Sequence, residues 1–137
     1  MHQLLFRGQT RKKGQKVNLK GEPLDGIWVY GGIFQSTGCF SVLYTYDPIE
    51  KRTVYSDTVG QYTGFEDKNS IKIFENDIMM LDHCIYVIEW HDGGFWAVLK
   101  TTNSTSETLP LQSLVAKGAV VIGNIHDNPD LLWVLKG

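Results

Sequence analysis

The stretch Ile85-Tyr86-Val87-Ile88-Glu89-Trp90-His91-Asp92-Gly93-Gly94-Phe95-Trp96-Ala97-Val98-Leu99 reads as two strands folded back about Asp92-Gly93. An Asp-Gly pair fits a two-residue type I′ turn, because both central residues of that turn need positive φ. The turn then opposes His91 with Gly94 and Trp90 with Phe95. One face carries Tyr86, Ile88, Trp90, Phe95, Ala97 and Leu99, a core face. The other carries Ile85, Val87, Glu89, Trp96 and Val98, which is too apolar to be left to water. The first half of the chain is the expected cover, a second subunit or a ligand the alternative. Trp96 is the residue to watch.

Strand signals continue on either side of this hairpin. Upstream, Ile78-Met79-Met80-Leu81 is an apolar strand that follows a kink at Glu75-Asn76-Asp77, and Ile71-Lys72-Ile73 alternates before it. Asp67-Lys68-Asn69-Ser70 is a polar turn entered from a loop at Gln61-Tyr62-Thr63-Gly64. Gly26 to Phe34 reads as a strand bent or bulged at Gly31-Gly32. Phe40 to Tyr46 and Arg52 to Ser56 form a hairpin about Asp47-Pro48-Ile49-Glu50-Lys51. Downstream, Pro110-Leu111 with Leu114, Val115 and Gly118 makes one helical turn ended by glycine. Ala119 to Ile125 is a closing strand. Asn128-Pro129-Asp130 caps a short C-terminal helix bearing Leu131, Leu132 and Leu135. So many short strands joined by turns indicate a mainly β chain containing a small barrel.

With 137 residues, 42% of them hydrophobic, the chain can bury a core without disulfides or a metal. Cys39 and Cys84 have no framework spacing and read as reduced, small hydrophobes. No apolar run approaches the roughly 20 residues of a membrane span, and Met1 to Phe6 is too short for an export signal. The expectation is a cytoplasmic protein that needs neither membrane nor cofactor. Its net charge of −2 hides an asymmetry. Arg7, Arg11, Lys12, Lys13, Lys16 and Lys20 sit together without one acid, whereas the remaining residues hold seven basic against 15 acidic side chains. Such an end attracts phosphates, membrane headgroups or an acidic partner. Only Phe6 lies near it in sequence, short of the interleaved aromatics of a single-strand binding platform, so a solvated turn about Lys13-Gly14 is the plainer reading.

Catalytic and metal chemistry find no support. Asp82, His83, Cys84, His91 and Asp92 are close in sequence, but strand alternation sends His83 and Cys84 to opposite faces. Glu75 and Asp77 bracket a kink, where an Asp most simply accepts from nearby amides. His126 sits where a helix cap is expected. No nucleophile elbow or phosphate-cradling glycine loop is present.

Two motifs carry a resemblance. Val59-Gly60-Gln61-Tyr62-Thr63-Gly64-Phe65-Glu66-Asp67-Lys68-Asn69, followed by Ile73-Phe74-Glu75-Asn76-Asp77-Ile78, resembles the signature of the YopX protein family. Val121-Ile122-Gly123-Asn124-Ile125-His126-Asp127-Asn128-Pro129-Asp130-Leu131-Leu132 resembles that family's C-terminal motif. Phe6-Arg7-Gly8 and Gly26-Ile27-Trp28-Val29-Tyr30-Gly31 resemble its N-terminal pattern. The resemblance implies a phage or prophage protein whose C-terminal part is an SH3-type barrel, and it brings no catalytic residues. Ser70 and Asn76 stand where the family has glycine. Asn76 tolerates the left-handed conformation, and Ser70 tolerates it less well.

The sequence thus predicts a β-rich α+β chain. A β-rich subdomain over residues 1–56 is packed against an SH3-like barrel over 57–137 that ends in a short helix. The function expected is a non-enzymatic binding module for a host or phage protein, or for nucleic acid through the basic N-terminus. A self-assembling structural or regulatory homo-oligomer is the alternative. The binding candidates are Arg7, Arg11, Lys12, Lys13, Tyr62 and Phe65 beside Gly64, and Trp96, since small barrels recognise ligands through aromatics at a loop edge.

Overall fold

The structure, a computed structural model, describes residues 4–12, 14–17, 19–23, 26–46, 48–100 and 108–134. Among the described residues the protein is mainly β, with two antiparallel sheets and two short α-helices. It divides into two compact units, Met1–Tyr62 and Thr63–Gly137. The division falls inside a strand, a few residues after the position near 57 at which the turn signals placed it.

The first unit contains β1 (Phe6–Gln9), β2 (Trp28–Thr37), β3 (Phe40–Tyr44), β4 (Lys51–Tyr55), a 3-10 turn (Ser56–Thr58) and the start of β5 (Gly60–Glu66). These strands lie in the order β4-β3-β2-β1-β5. The register of β2 against β3 shifts between Ile33 and Gln35, so the strand does bulge, but just past Gly31-Gly32 and not at them. Gly31 is obligatory because its Cα lies against the Tyr44 carbonyl, leaving no room for a side chain. The sheet curls far enough that Gly8 of β1 abuts Val54 of β4. Inside the curl sits a small core of Val29, Leu43 and Val54, edged by Phe6 and Val59.

The second unit contains the end of β5, then β6 (Lys72–Phe74), β7 (Asp77–Leu81), β8 (Cys84–His91), β9 (Gly94–Leu99), β10 (Thr108–Pro110), α1 (Leu111–Ala116), β11 (Val120–Asn124) and α2 (Asp130–Val134). Its five-stranded sheet runs β10-β9-β8-β7-β11. The hairpin register is the one the turn chemistry demands: His91 opposes Gly94, Trp90 opposes Phe95, and Asp92 and Gly93 have φ of 49° and 78°. The sheet is open, where a closed barrel was expected. One edge, β10, is three residues long and ends in Pro110, which has no N–H to extend a ladder.

Both faces of the hairpin are covered. Tyr86, Ile88 and Ala97 join Ile73 and Met79 under Leu111 and Leu114 of α1. Ile85 and Val87 join Ile78 under Ile122, Ile125, Leu131 and Leu132. The cover on the second face is therefore the C-terminal segment, which corrects the expectation that the first half supplies it. Helix α1 begins after Pro110 and ends at Ala116, with Lys117 as its cap and Gly118 turning the chain away at φ 89°.

Two carboxylates hold the turns of this unit. Asp67 is buried and accepts from the amides of Asn69 (2.8 Å), Ile71 (3.0 Å) and Val121 (2.9 Å), tying the turn after β5 to β11. Burial pushes the Asp67 carboxyl up. The N–H donors of Val121, Ile71 and Asn69, with Lys68, outweigh that and hold it below the ordinary carboxylate range. Asp77 accepts from the Phe74 amide at 2.7 Å across the kink. Ser70 and Asn76 both take the left-handed conformation, with φ of 64° and 71°.

Candidate functional site

The basic stretch after β1 is a loop closed at its base by a residue pair. The Thr10 amide donates to the Ile27 carbonyl, and the Ile27 amide donates to Thr10 Oγ1, both at 3.1 Å. Within the loop Gln15 turns back on Lys12: its amide donates to the Lys12 carbonyl at 2.9 Å, and its Oε1 accepts from the Lys12 amide at 3.1 Å. Gly14 makes this turn at φ 82°. The turn read at Lys13-Gly14 is thus present, although Lys13 itself lies outside the described residues.

Long-range contacts then bring aromatics to the loop. Tyr55 of β4 donates its hydroxyl to Gln15 Oε1 at 2.7 Å, across 40 residues of sequence. The Lys12 ammonium lies 5.2 Å from the centroid of the Tyr55 ring, within cation–π range. Phe40 stands opposite Tyr55 in the β3–β4 ladder, with ring centroids 5.0 Å apart and planes tilted by 38°. Beside them opens a cleft of about 300 Å³, lined by Leu19, Lys20, Glu22, Phe40, Thr53 and Tyr55 among others. Phe40 is 40% exposed and Leu19 98% exposed, so apolar surface borders the cleft. Lys12, Lys16 and Lys20 are exposed on the same loop.

The other predicted site residues are placed differently. Arg7 does not belong to this surface: it is buried on β1, its guanidinium 4.7 Å from the Trp28 ring centroid. Arg11 is half-buried, its side chain laid against the Gly26 backbone. Tyr62 and Phe65 are not in a loop, because β5 runs through both and absorbs Gly64 at φ 87°. Tyr62 is half-buried in the first unit and Phe65 is exposed in the second. Trp96 is half-buried, and its indole N–H donates to the His91 carbonyl at 2.9 Å. Trp90, assigned to the core face, is instead 49% exposed at the turn end of β8, edge-on to Phe95 at 4.8 Å.

The sequence reading passed over Phe40 and Tyr55 as ligand-facing groups. The signal that reveals them is the β3–β4 hairpin register, which pairs the two rings.

A second depression, of about 410 Å³, lies in the second unit over Val87, Ile125 and Leu132. Glu75 and Glu89 both line it, and the Glu89 carboxylate is 2.6 Å from His91 Nε2 and 3.1 Å from Lys100 Nζ. Burial pushes the Glu89 carboxyl up, but the bonds and charges of His91 and Lys100 prevail and hold it below the ordinary range. Those partners occupy the carboxylate. Among the described residues, no three His, Cys, Asp or Glu side chains are grouped to share a metal ion, and no helix is long and apolar enough to cross a membrane.

A family model described as YopX protein matches residues 29–133. A search of curated proteins gives no match. Among solved structures, the chain is similar to the crystal structure of protein EF1440 from Enterococcus faecalis. The two are 21% identical, with 96% of this chain and 99% of that one covered and a TM-score of 0.48.

Proposed function

The chain belongs to the YopX protein family, and we propose that it is a non-enzymatic recognition module that docks an anionic partner on the basic–aromatic surface of its first unit. The observation that carries this reading is the seating of Lys12 over Tyr55, with Gln15 bound to the Tyr55 hydroxyl. A loop with no tertiary role would leave the Lys12 ammonium away from any ring. Here three hydrogen-bonding groups and a ring hold the loop beside a cleft, which lowers the entropy lost when a ligand arrives. Lys12, Lys16 and Lys20 supply the charge that draws an anion in.

The second unit is the scaffold in this reading. Its five antiparallel strands support viewing it as an SH3-like barrel opened between β10 and β11. Setting in a phage or prophage gene and work in the bacterial cytoplasm go with the proposal. The doubly apolar hairpin, which motivated self-assembly as the alternative, is accounted for by its own unit's cover.

Retention on an immobilised sulfated polysaccharide at low salt tests the docking surface. The native chain should bind and elute as salt rises, and the double variant Lys12→Ala, Lys20→Ala should elute markedly earlier. Passage of the native chain straight through the column at low salt overturns the proposal.

A further inference from the structure

We infer that the anionic partner is an acidic protein segment in extended conformation, added as a strand along the free edge of β4 with an apolar side chain at the cleft. The inference rests on the recognition reading of that surface and adds the chemistry and conformation of the partner.

The backbone of β4 carries it. This strand is the edge of its sheet, and among the described residues it pairs with β3 alone. At the two ends of the ladder the Thr45 amide donates to the Glu50 carbonyl and the Ser56 amide to the Cys39 carbonyl, both at 2.9 Å. In an antiparallel pair such bonded positions recur at every second residue. Glu50, Arg52, Val54 and Ser56 therefore turn their backbone groups to β3, and Lys51, Thr53 and Tyr55 turn theirs outward. The Thr58 hydroxyl donates to the Tyr55 carbonyl at 2.6 Å. The N–H and C=O of Lys51 and Thr53 and the N–H of Tyr55 remain without a partner among the described residues. Lys51 and Thr53 are exposed. Such a row of donors and acceptors is a template for one more strand.

The cleft adjoins that edge. Thr53 and Tyr55 line it from β4, Phe40 from β3 and Leu19 from the loop. A strand laid along β4 sends every second side chain to the face of Phe40, Thr53 and Tyr55. There Leu19 and Phe40 offer exposed apolar surface.

Charge selects among the occupants. Lys12 and Lys16 of the loop and Lys51 of β4 are exposed, whereas Lys20 and Glu22 of the cleft wall already have interactions of their own. The ring contact of Lys12 does not neutralise it. A second copy would bring the same lysines against one another, and lysine on an edge resists such self-pairing. A nucleic acid would need a ring face for its bases, and the Tyr55 ring already lies against Lys12 and Phe40. An acidic extended segment needs only the cations, the apolar border and the strand edge.

The test is fluorescence anisotropy on the full chain, with a dye-labelled peptide of about eight residues in which glutamate and leucine alternate. Two counterparts carry N-methyl groups, one on the leucine nitrogens and one on the glutamate nitrogens, so that each loses the donors of one edge and keeps every side chain. The parent peptide should bind, and more weakly at about 200 mM salt than at about 50 mM. At least one counterpart should bind roughly tenfold more weakly than the parent. The double variant Lys12→Ala, Lys16→Ala should weaken the parent peptide and flatten its salt dependence. Thr53→Pro removes an outward N–H and no bond to β3. It should weaken the peptide while retention on the sulfated polysaccharide stays unchanged, and a melting curve close to the native one shows the chain folded. Counterparts that both bind as tightly as the parent, or a parent that does not bind at the lower salt, overturn this inference and leave the anion-docking proposal standing. So does tighter binding of a dye-labelled single strand of about 12 nucleotides, or a dimer in sedimentation that Thr53→Pro abolishes. Failure of the native chain to bind the polysaccharide overturns both.

Discussion

In the second unit the β8–β9 hairpin is covered on both faces, one by α1 and the other by β11 and α2. In the first unit the β3–β4 hairpin has one face on Leu43 and Val54 and carries Phe40 and Tyr44 exposed on the strand's alternate positions. Both hairpins are equally rich in aromatic and β-branched residues, so local composition does not distinguish them. What differs is the supply of covering segments. The second unit has two helices and an extra strand to spend on its hairpin, whereas the first spends its long connection on a basic loop beside β4. A covered hairpin serves stability, and a bare one is free to meet a ligand.

The sharpest way to break this comparison is to cut into the covered hairpin. Ile88 is fully buried, and Ile88→Ala should cost about 3–4 kcal/mol through lost transfer energy and the cavity left behind. Urea unfolding would read it as a large drop in midpoint, and a drop no larger than that of a surface variant would deny the cover by α1. Next, Asp67→Ala strips three amides of their acceptor and should cost about 2–3 kcal/mol. Because the native carboxyl titrates below its unfolded value, its stabilisation is complete above the ordinary carboxylate range and is lost as pH falls through the native value. Urea midpoints taken down an acid series should therefore fall less steeply in Asp67→Asn than in the native chain.

Smaller still is Ser70→Gly, which relieves a left-handed serine at φ 64°. After the greater freedom that glycine gives the unfolded chain, the gain should be about 0.5–1 kcal/mol, a rise of a few degrees in the thermal midpoint. Last comes Phe40→Ala, whose effect on stability should stay within about 0.5 kcal/mol because the ring is on the bare side. Ile88→Ala and Phe40→Ala in one urea series set the two hairpins directly against each other.

Much of the fold was legible because its determinants are local. Asp92-Gly93 dictates a turn, the turn dictates the register, and the register dictates which side chains share a face. Pro110 and Gly118 bound α1 for reasons that reside in their own backbones. Ser70 and Asn76 occupy the left-handed conformation that the family's glycines imply. The candidate site was not legible in the same way. A charge count ignores direction and so groups Arg7 with its basic neighbours, whereas alternation along β1 puts it on the face opposite Phe6 and Gly8, where it is buried against Trp28. Gly64 on its own suggests a loop at Tyr62 and Phe65, but β5 absorbs it. Trp90 followed the core parity of its strand, but parity is silent on where the cover ends.

The sequence by itself determined the hairpins, their registers, the turn conformations and the two-faced apolarity of β8 and β9, since each follows from residues within a few positions of one another. The tertiary structure alone decided that the C-terminal segment, not the first half, covers the second face, and that Lys12 and Gln15 meet Tyr55. Both depend on contacts between segments far apart along the chain. Such contacts are set by how much apolar surface each face has left to bury, and no local pattern of residues encodes that quantity.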